Sequence, residues 1–254
     1  MKKKSKSPAK PQRILSIDIG GSNVKLLASG ETDPRKIPSG PELTPARMVE
    51  RVKKLAAGWK YDAVSLGYPG LVGDSGPLAE PGNLGKGWVS FDYASAFDCP
   101  VRIANDAAMQ ALGSYDGGRM LFLGLGTGLG SVLIAHRVIV PLELGELPMK
   151  KATFSAVLGR LGLDQAGKKK WRKSLFKVVP ALQRAFQVDY VVLGGGNSKY
   201  VKEPLPPGVR LGNNLTAFRG GFRLWSIDDL RTLDVDALHE APEGEVVVGK
   251  WQLL

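Results

Sequence analysis

A chain of 254 residues, 43% of them hydrophobic, is long enough for two modest domains or one large one, and none of its apolar runs approaches the ~20 residues that span a bilayer. Its single cysteine, Cys99, excludes an internal disulfide and a cysteine-based zinc cluster. The lysine-rich start lacks the apolar stretch of a signal peptide, so a cytoplasmic protein with no membrane partner is expected. The formal charge of +11 is uneven: residues 1–13 hold six cations and no acid, which predicts a disordered basic tail.

Residues 13–29 read as strand, glycine turn, strand, with Ile14, Leu15 and Ile17 before Gly20-Gly21 and Val24, Leu26 and Leu27 after it. Thr44 and Pro45 supply an N-cap and a first helical residue for a helix over 44–59, whose apolar positions are Met48, Val49, Val52, Leu55 and Ala56. A short strand over 63–66 enters the turn Gly67-Tyr-Pro-Gly70. Another over 101–104 delivers Asn105-Asp106 to the start of a helix over 107–114. Strands over 120–125 and 131–135 flank Gly124-Leu-Gly-Thr-Gly-Leu-Gly130, and 137–140 extends that sheet. Helices are expected over 154–161 and 168–187, before a strand over 189–193 that meets Gly194-Gly-Gly-Asn197. After Trp225 the chain turns acidic and irregular, with 244–251 an edge strand or a tail.

Strands alternating with helices indicate an α/β fold, and the repeated strand–glycine turn–strand unit suggests two similarly folded lobes. The expected division is a tail over 1–13, a first lobe over 14–106, a second over 107–225 and an extension over 226–254.

Glycines let backbone N–H groups converge on an anion, and Gly20-Gly21-Ser22 and Gly126-Thr127-Gly128 each add a hydroxyl donor. Neither turn is a P-loop, because no Gly-Lys-Ser/Thr closes it, and neither opens a helix as a dinucleotide fingerprint does. Either turn alone reads equally as a plain hairpin. Asp18 lies in an apolar strand, where an unpaired carboxylate costs several kcal/mol. It reads either as an acid facing a cleft near Mg²⁺ or as an Asx-turn partner. Asp106 reads either as the N-cap of the following helix or as a general base for a hydroxyl attacking a phosphoryl group. Trp88 and Cys99 read as core residues, Lys25 as an exposed strand residue, and His136 and His239 as incidental. The basic tail and the cluster Lys168-Lys-Lys-Trp-Arg-Lys173 read either as solvated surface or as attraction for a polyanion, with Arg172 and Lys173 candidates for a phosphate-chain track.

The order Asp-Ile-Gly-Gly-Ser, Gly-Tyr-Pro-Gly-Leu-Val, Glu-Pro-Gly-Asn-Leu-Gly-Lys-Gly-Trp, Asn-Asp-Ala, Leu-Gly-Thr-Gly-Leu-Gly-Ser, Glu-Leu-Gly and Val-Leu-Gly-Gly-Gly-Asn-Ser resembles the ROK family of sugar kinases and repressors, most closely its polyphosphate glucokinase branch. The similarity runs from about residue 14 to about residue 198. The resemblance implies an actin-like ATPase (ribonuclease H-like) fold, with two lobes around a central cleft. It implies a first phosphate loop of Asp18, Gly20, Gly21 and Ser22 and a second of Gly126, Thr127 and Gly128. Gly194, Gly195 and Gly196 would lie under the nucleoside or the distal phosphates. Asp106 would be the base, and Asn83, Asn105, Asp106 and Glu143 would contact the sugar.

One departure stands out. Glu146 occupies the place of a sugar-binding histidine, so the phosphate side is intact while the sugar side is altered. The expected activity is transfer of a phosphoryl group from polyphosphate, ATP or both to a hexose, glucose first among them. Asp106 would be the base, Mg²⁺ would sit near Asp18, and a homodimer is expected by analogy. A non-catalytic sugar sensor and a kinase for an amino sugar are the alternatives. Residues 1–13 are too short for the DNA-binding helix-turn-helix of ROK repressors, so no specific nucleic-acid partner is expected.

Overall fold

The computed structural model describes residues 13–226, apart from 203 and 214, and the backbone of 252–253. Residues 1–12 of the predicted basic tail and the segment over 244–251 lie outside the described residues, while Arg13, counted in that tail, pairs with Asp62 at 2.7 Å.

The chain opens with β1 (Ile14–Ile19), β2 (Asn23–Ala28) and β3 (Arg35–Pro38), an antiparallel meander. Helix α1 (Pro45–Leu55) follows, with the Thr44 hydroxyl accepting from the Arg47 amide and Pro45 at the first turn, as its sequence predicts. Its Met48, Val49 and Val52 face the sheet. Then come β4 (Ala63–Tyr68), a small hairpin of β5 (Val72–Gly73) and β6 (Gly76–Pro77), α2 (Tyr93–Phe97) and β7 (Val101–Asn105). Strands β4 and β7 add to β1 in parallel, giving the order β3-β2-β1-β4-β7.

Helix α3 (Asp106–Ser114) leads to a second meander of β8 (Arg119–Leu125), β9 (Leu129–Ala135) and β10 (Val138–Leu142). A hairpin of β11 (Pro148–Met149) and β12 (Ala152–Thr153) precedes α4 (Phe154–Leu158) and α5 (Arg160–Ala185). The helical path of α5 is interrupted at Gly167, whose φ is 72°. The helix predicted over 168–187 begins after that break, whereas the one predicted over 154–161 is split at Gly159, where the extended backbone ends α4 and α5 starts. Strands β13 (Tyr190–Gly194) and β14 (Val209–Leu211) then add in parallel to β8, and β15 (Gln252–Leu253) lies along β10. The order β14-β13-β8-β9-β10-β15 repeats the first sheet's plan, a meander followed by two parallel strands. The lobe duplication expected from the two glycine turns is therefore present in the topology.

Each sheet has its own core. Leu15, Ile17, Val64 and Leu66 pack with α1, α2 and the buried Trp88 in the first lobe, and Leu121, Leu123, Val191 and Leu193 pack with Trp171, Leu175 and Val179 of α5 in the second. A third cluster, including Ala108, Leu112, Phe122 and Ile134, joins α3 to the second sheet.

Helix α6 (Thr216–Arg223), near the end of the described chain, returns to the first lobe. It packs on α3, β1 and β4. A Cβ at Gly113 would strike the Thr216 carbonyl, and one at Gly220 would strike that of Met109, so glycine on both helices permits the crossing. The Ser65 hydroxyl donates to the Gly221 carbonyl at 2.6 Å, and the Trp225 indole N–H donates to Ser65 Oγ at 2.9 Å. Among the described residues no helix is long and apolar enough to cross a membrane.

Candidate active site

The first glycine turn joins β1 to β2. The Gly20 amide donates to the Asn23 carbonyl at 3.0 Å, and the Ser39 hydroxyl donates to the Gly20 carbonyl at 2.6 Å. Gly21 and Ser22 are exposed. Asn83 arches over this turn, because a Cβ at Gly21 would lie 3.6 Å from the Asn83 amide nitrogen. The Asn83 loop is held from below. The Glu80 carboxylate accepts from the Trp88 amide at 3.1 Å and the Val89 amide at 3.3 Å, and the fully buried Trp88 ring donates to the Gly85 carbonyl at 2.9 Å. Trp88 is therefore core, as expected.

Parallel pairing brings the two acids together. In register, Asp18 stands opposite Gly67, Gly67 opposite Ala104, and Tyr68 opposite Asn105. Gly67 has no side chain to separate them, and a Cβ there would sit 3.6 Å from the Asp106 Cα. Burial raises the Asp18 carboxyl above its ordinary value, partly offset by the exposed Lys25 opposite it on β2. Asp106 is pushed up to about 7, chiefly by burial and then by the charge of Asp18, against the opposing hydrogen bond from the Ala107 amide. A carboxyl poised near neutrality beside a second carboxyl is a common signature of acid–base chemistry.

The cap of α3 belongs to Asn105 rather than to Asp106 alone. Asn105 Oδ1 accepts from the Ala107 and Ala108 amides at 3.0 and 3.2 Å, and its Nδ2 donates to the Gly70 carbonyl at 3.0 Å. Asp106 Oδ1 shares the Ala107 amide at 2.7 Å. The strand end therefore divides its labour: the amide fixes the helix start, while the acid stays largely desolvated on the wall of a cavity.

Asp106, Asn105 and Glu143 line one cavity of about 820 Å³, with the β5–β6 hairpin, Gly130 and Ser131 on its walls. A volume of this order accommodates a small polar ligand. Asn83 and Glu146 do not line it. Glu146 is exposed on the short turn after β10, its amide donating to the Glu143 carbonyl at 3.1 Å.

The second turn, between β8 and β9, is closed by the Gly126 amide donating to the Gly128 carbonyl at 3.1 Å. Gly194 at the end of β13 is in register with Gly124, and Gly195, with φ of 78°, admits the Leu125 backbone where a side chain would collide. The buried Asn197 then ties the two segments. Its amide donates to the Leu125 carbonyl at 2.8 Å and its Nδ2 to the Gly126 carbonyl at 2.8 Å. Thr127 is exposed, and its carbonyl accepts from the Arg160 amide at 3.1 Å. Gly130 packs on Ala107, since a Cβ there would lie 3.0 Å from the alanine's. Asp106 thus lies close to Asp18, which precedes the first turn, and next to Ala107, which touches Gly130 after the second.

Two contributors escaped the sequence reading. Ser155 Oγ accepts from the Leu129 amide at 3.2 Å and supports the second turn, with no motif to mark it. Asn197, a polar residue directly after three glycines, carried the signal that its fully polar side chain would need partners.

No protein-family model matches the chain. A polyphosphate glucokinase of Mycobacterium tuberculosis is 26% identical over 212 residues, 75% of this chain and 80% of that protein. One from Mycobacterium leprae is 26% identical over 217 residues, 76% of this chain and 66% of that protein. Among solved structures, the inorganic polyphosphate/ATP-glucomannokinase of Arthrobacter sp. strain KM superposes with a TM-score of 0.69 at 22% identity, covering 84% of this chain and 98% of that one. A ROK family glucokinase of Streptomyces griseus, solved with glucose and AMPPNP, gives 0.63 at 15% identity over 84% and 98%. Motif order, sequence relatives and fold agree: the chain resembles the ROK sugar kinases, the polyphosphate glucokinases among them, and has the actin-like ATPase fold of two lobes about a cleft.

Proposed function

We propose that this protein is a sugar kinase that transfers the terminal phosphoryl group of polyphosphate or ATP to a hexose hydroxyl, glucose being the first candidate. The observation that carries the reading is Asp106: a carboxyl held near pKa 7 beside Asp18, lining a cavity that also holds Asn105, Glu143 and, beyond the second glycine turn, Gly130. In its ionised form it accepts the hydroxyl proton as the sugar oxygen forms its bond to phosphorus. The bond from that phosphorus to the bridging oxygen breaks, leaving ADP or a shortened chain, and the proton passes from Asp106 to water. Backbone amides of the turns at Gly20–Ser22 and Gly126–Gly128 donate to the phosphoryl oxygens as charge spreads over them. Asn105 positions the base through the start of α3, and Glu143 reaches the acceptor from the opposite wall.

Asp18 fits a divalent cation. It is a largely desolvated carboxyl beside a second one, so a cation held there would relieve their repulsion, and the rest of its ligands would have to come from substrate and water. When bound, Mg²⁺ supplies neutralisation of the phosphate charge. A second reading is an acceptor bearing an amino group; it rests on Glu146, three residues from the cavity-lining Glu143 though itself outside that cavity.

A coupled assay of ATP and polyphosphate against glucose, mannose and glucosamine tests both readings. Turnover with glucose or mannose supports the first, preference for glucosamine the second. No turnover with any pairing rejects the kinase.

A further inference from the structure

The described chain concentrates its charge in one region. Residues 150–202 carry twelve Lys or Arg and only two acids, Asp164 and Asp189. Two of those cations stand over one ring and a third, Arg160, hydrogen-bonds to the same side chain. Lys168 Nζ stands 4.8 Å from the Tyr200 ring centre and Lys199 Nζ stands 5.1 Å from it. Tyr200 is drawn below its ordinary pKa by Lys199 first, opposed by desolvation, with further lowering from a hydrogen bond donated by Arg160 and from Lys168. Arg160 has one weak acidic neighbour, Asp164 at 3.9 Å, one turn along α5. Neither Lys168 nor Lys199 has a carboxylate partner among the described residues. Like charges gathered without a counter-charge repel one another, and an anion between them removes that cost.

The place of this cluster matters as much as its sign. Both segments that carry it are hydrogen-bonded to the second glycine turn. Arg160 donates its own amide to the Thr127 carbonyl, and Asn197, two residues before Lys199, clamps Gly126 and Leu125. Beyond Gly167, Lys168 and Arg172 are four residues apart and share one face of α5, a turn farther from the site.

We propose that Arg160, Lys168 and Lys199, arranged around Tyr200, form a distal subsite that holds the non-reacting phosphates of a linear inorganic polyphosphate whose end lies in the second glycine turn. This rests on the kinase reading for the position of the reacting end, and it adds the residues that favour a long chain over a short donor. A single phosphate meets one cation at a time, whereas a chain meets all three, so affinity rises with chain length and falls with salt.

The test is binding of long-chain polyphosphate, tripolyphosphate and a single-stranded RNA of matched charge to the Asp106→Asn protein without sugar. Unmutated track residues are compared with Lys168→Gln, Lys199→Gln and the pair. These exposed lysines can be changed without touching the core, and Lys→Arg at both sites should restore binding. Each Gln substitution should weaken long-chain binding roughly three- to fivefold, the scale of an exposed ion pair. The double variant should lose most of the preference for the long chain over tripolyphosphate. An unchanged preference in the double variant overturns the subsite, and so does RNA that binds the unmutated track as tightly as polyphosphate. If no hexose is ever phosphorylated but the chain-length preference exists and disappears in the double variant, the subsite stands and the kinase reading alone fails.

Discussion

Replacing Asp106 by Asn should make the protein more stable and far less active, with the stability gain dependent on pH. An aspartyl carboxyl titrates near 3.8 in the unfolded chain and near 7 in the folded one. Below pH 3.8 both states hold the proton and the site costs nothing. As pH rises towards 7 the unfolded chain has lost the proton while the folded one retains it, so stability declines, and it stops declining above the folded value. At about 1.4 kcal/mol for each pH unit, the full penalty is about 4 kcal/mol at pH 8, of which roughly 1.7 is already present at pH 5. Asparagine cannot ionise, and its carbonyl can still accept from the Ala107 amide. The advantage of Asp106→Asn over the native protein should therefore grow by about 2.5 kcal/mol between pH 5 and pH 8. Urea unfolding at the two pH values, with the slope checked for constancy, reads this directly. Turnover with the preferred donor should fall by about 10²- to 10⁴-fold, the range for loss of a general base. An advantage that does not change with pH would refute the claim that Asp106 is strained by its ionisation.

Asp18→Asn should move the acid limb of the kcat/KM profile to lower pH, because the neighbouring charge that helps raise Asp106 is gone. The limb should stay above the ordinary carboxyl range since burial is the larger cause, and an unmoved limb would mean that the two acids do not interact. Asn105→Ala removes the cap of α3 and the bond to Gly70, which should cost about 1–2 kcal/mol in chemical unfolding, while Asn105→Ser keeps a capping oxygen and should recover most of it. Gly220→Ala drives a methyl into the Met109 carbonyl on α3, so a loss of about 2–3 kcal/mol and a fall in Tm of roughly 5–10 °C are expected by calorimetry.

Much of the first lobe was legible because its signals are local. Apolar runs on either side of Gly20-Gly21 marked β1 and β2, and Thr44-Pro45 with a 3.6-residue period marked α1. Helix α6 was not legible. Its sequence, Thr-Ala-Phe-Arg-Gly-Gly-Phe-Arg, contains two glycines that disfavour a helix in isolation, and the same glycines make its crossing with α3 possible. Strand β3, short and bearing Arg35 and Lys36 at the sheet edge, also gave no apolar pattern. At the site, position alone identified Asp106 at a strand end. Its pairing with Asp18 through Gly67 depends on the register of three parallel strands separated by tens of residues, which no local pattern encodes. The assignment of the cap to Asn105 likewise follows from its non-helical backbone at the end of β7, with φ of −58° and ψ of 143°.

The return of α6 to β1 and β4 has a consequence for synthesis. The first sheet is complete in sequence by residue 105, yet one of its faces is covered by residues 216–225, which leave the ribosome more than a hundred residues later. During that interval nascent chains carry an uncovered sheet surface, a target for chaperones and for neighbouring nascent chains. A message truncated shortly before codon 216 should therefore yield insoluble product, even though it encodes every strand of that sheet.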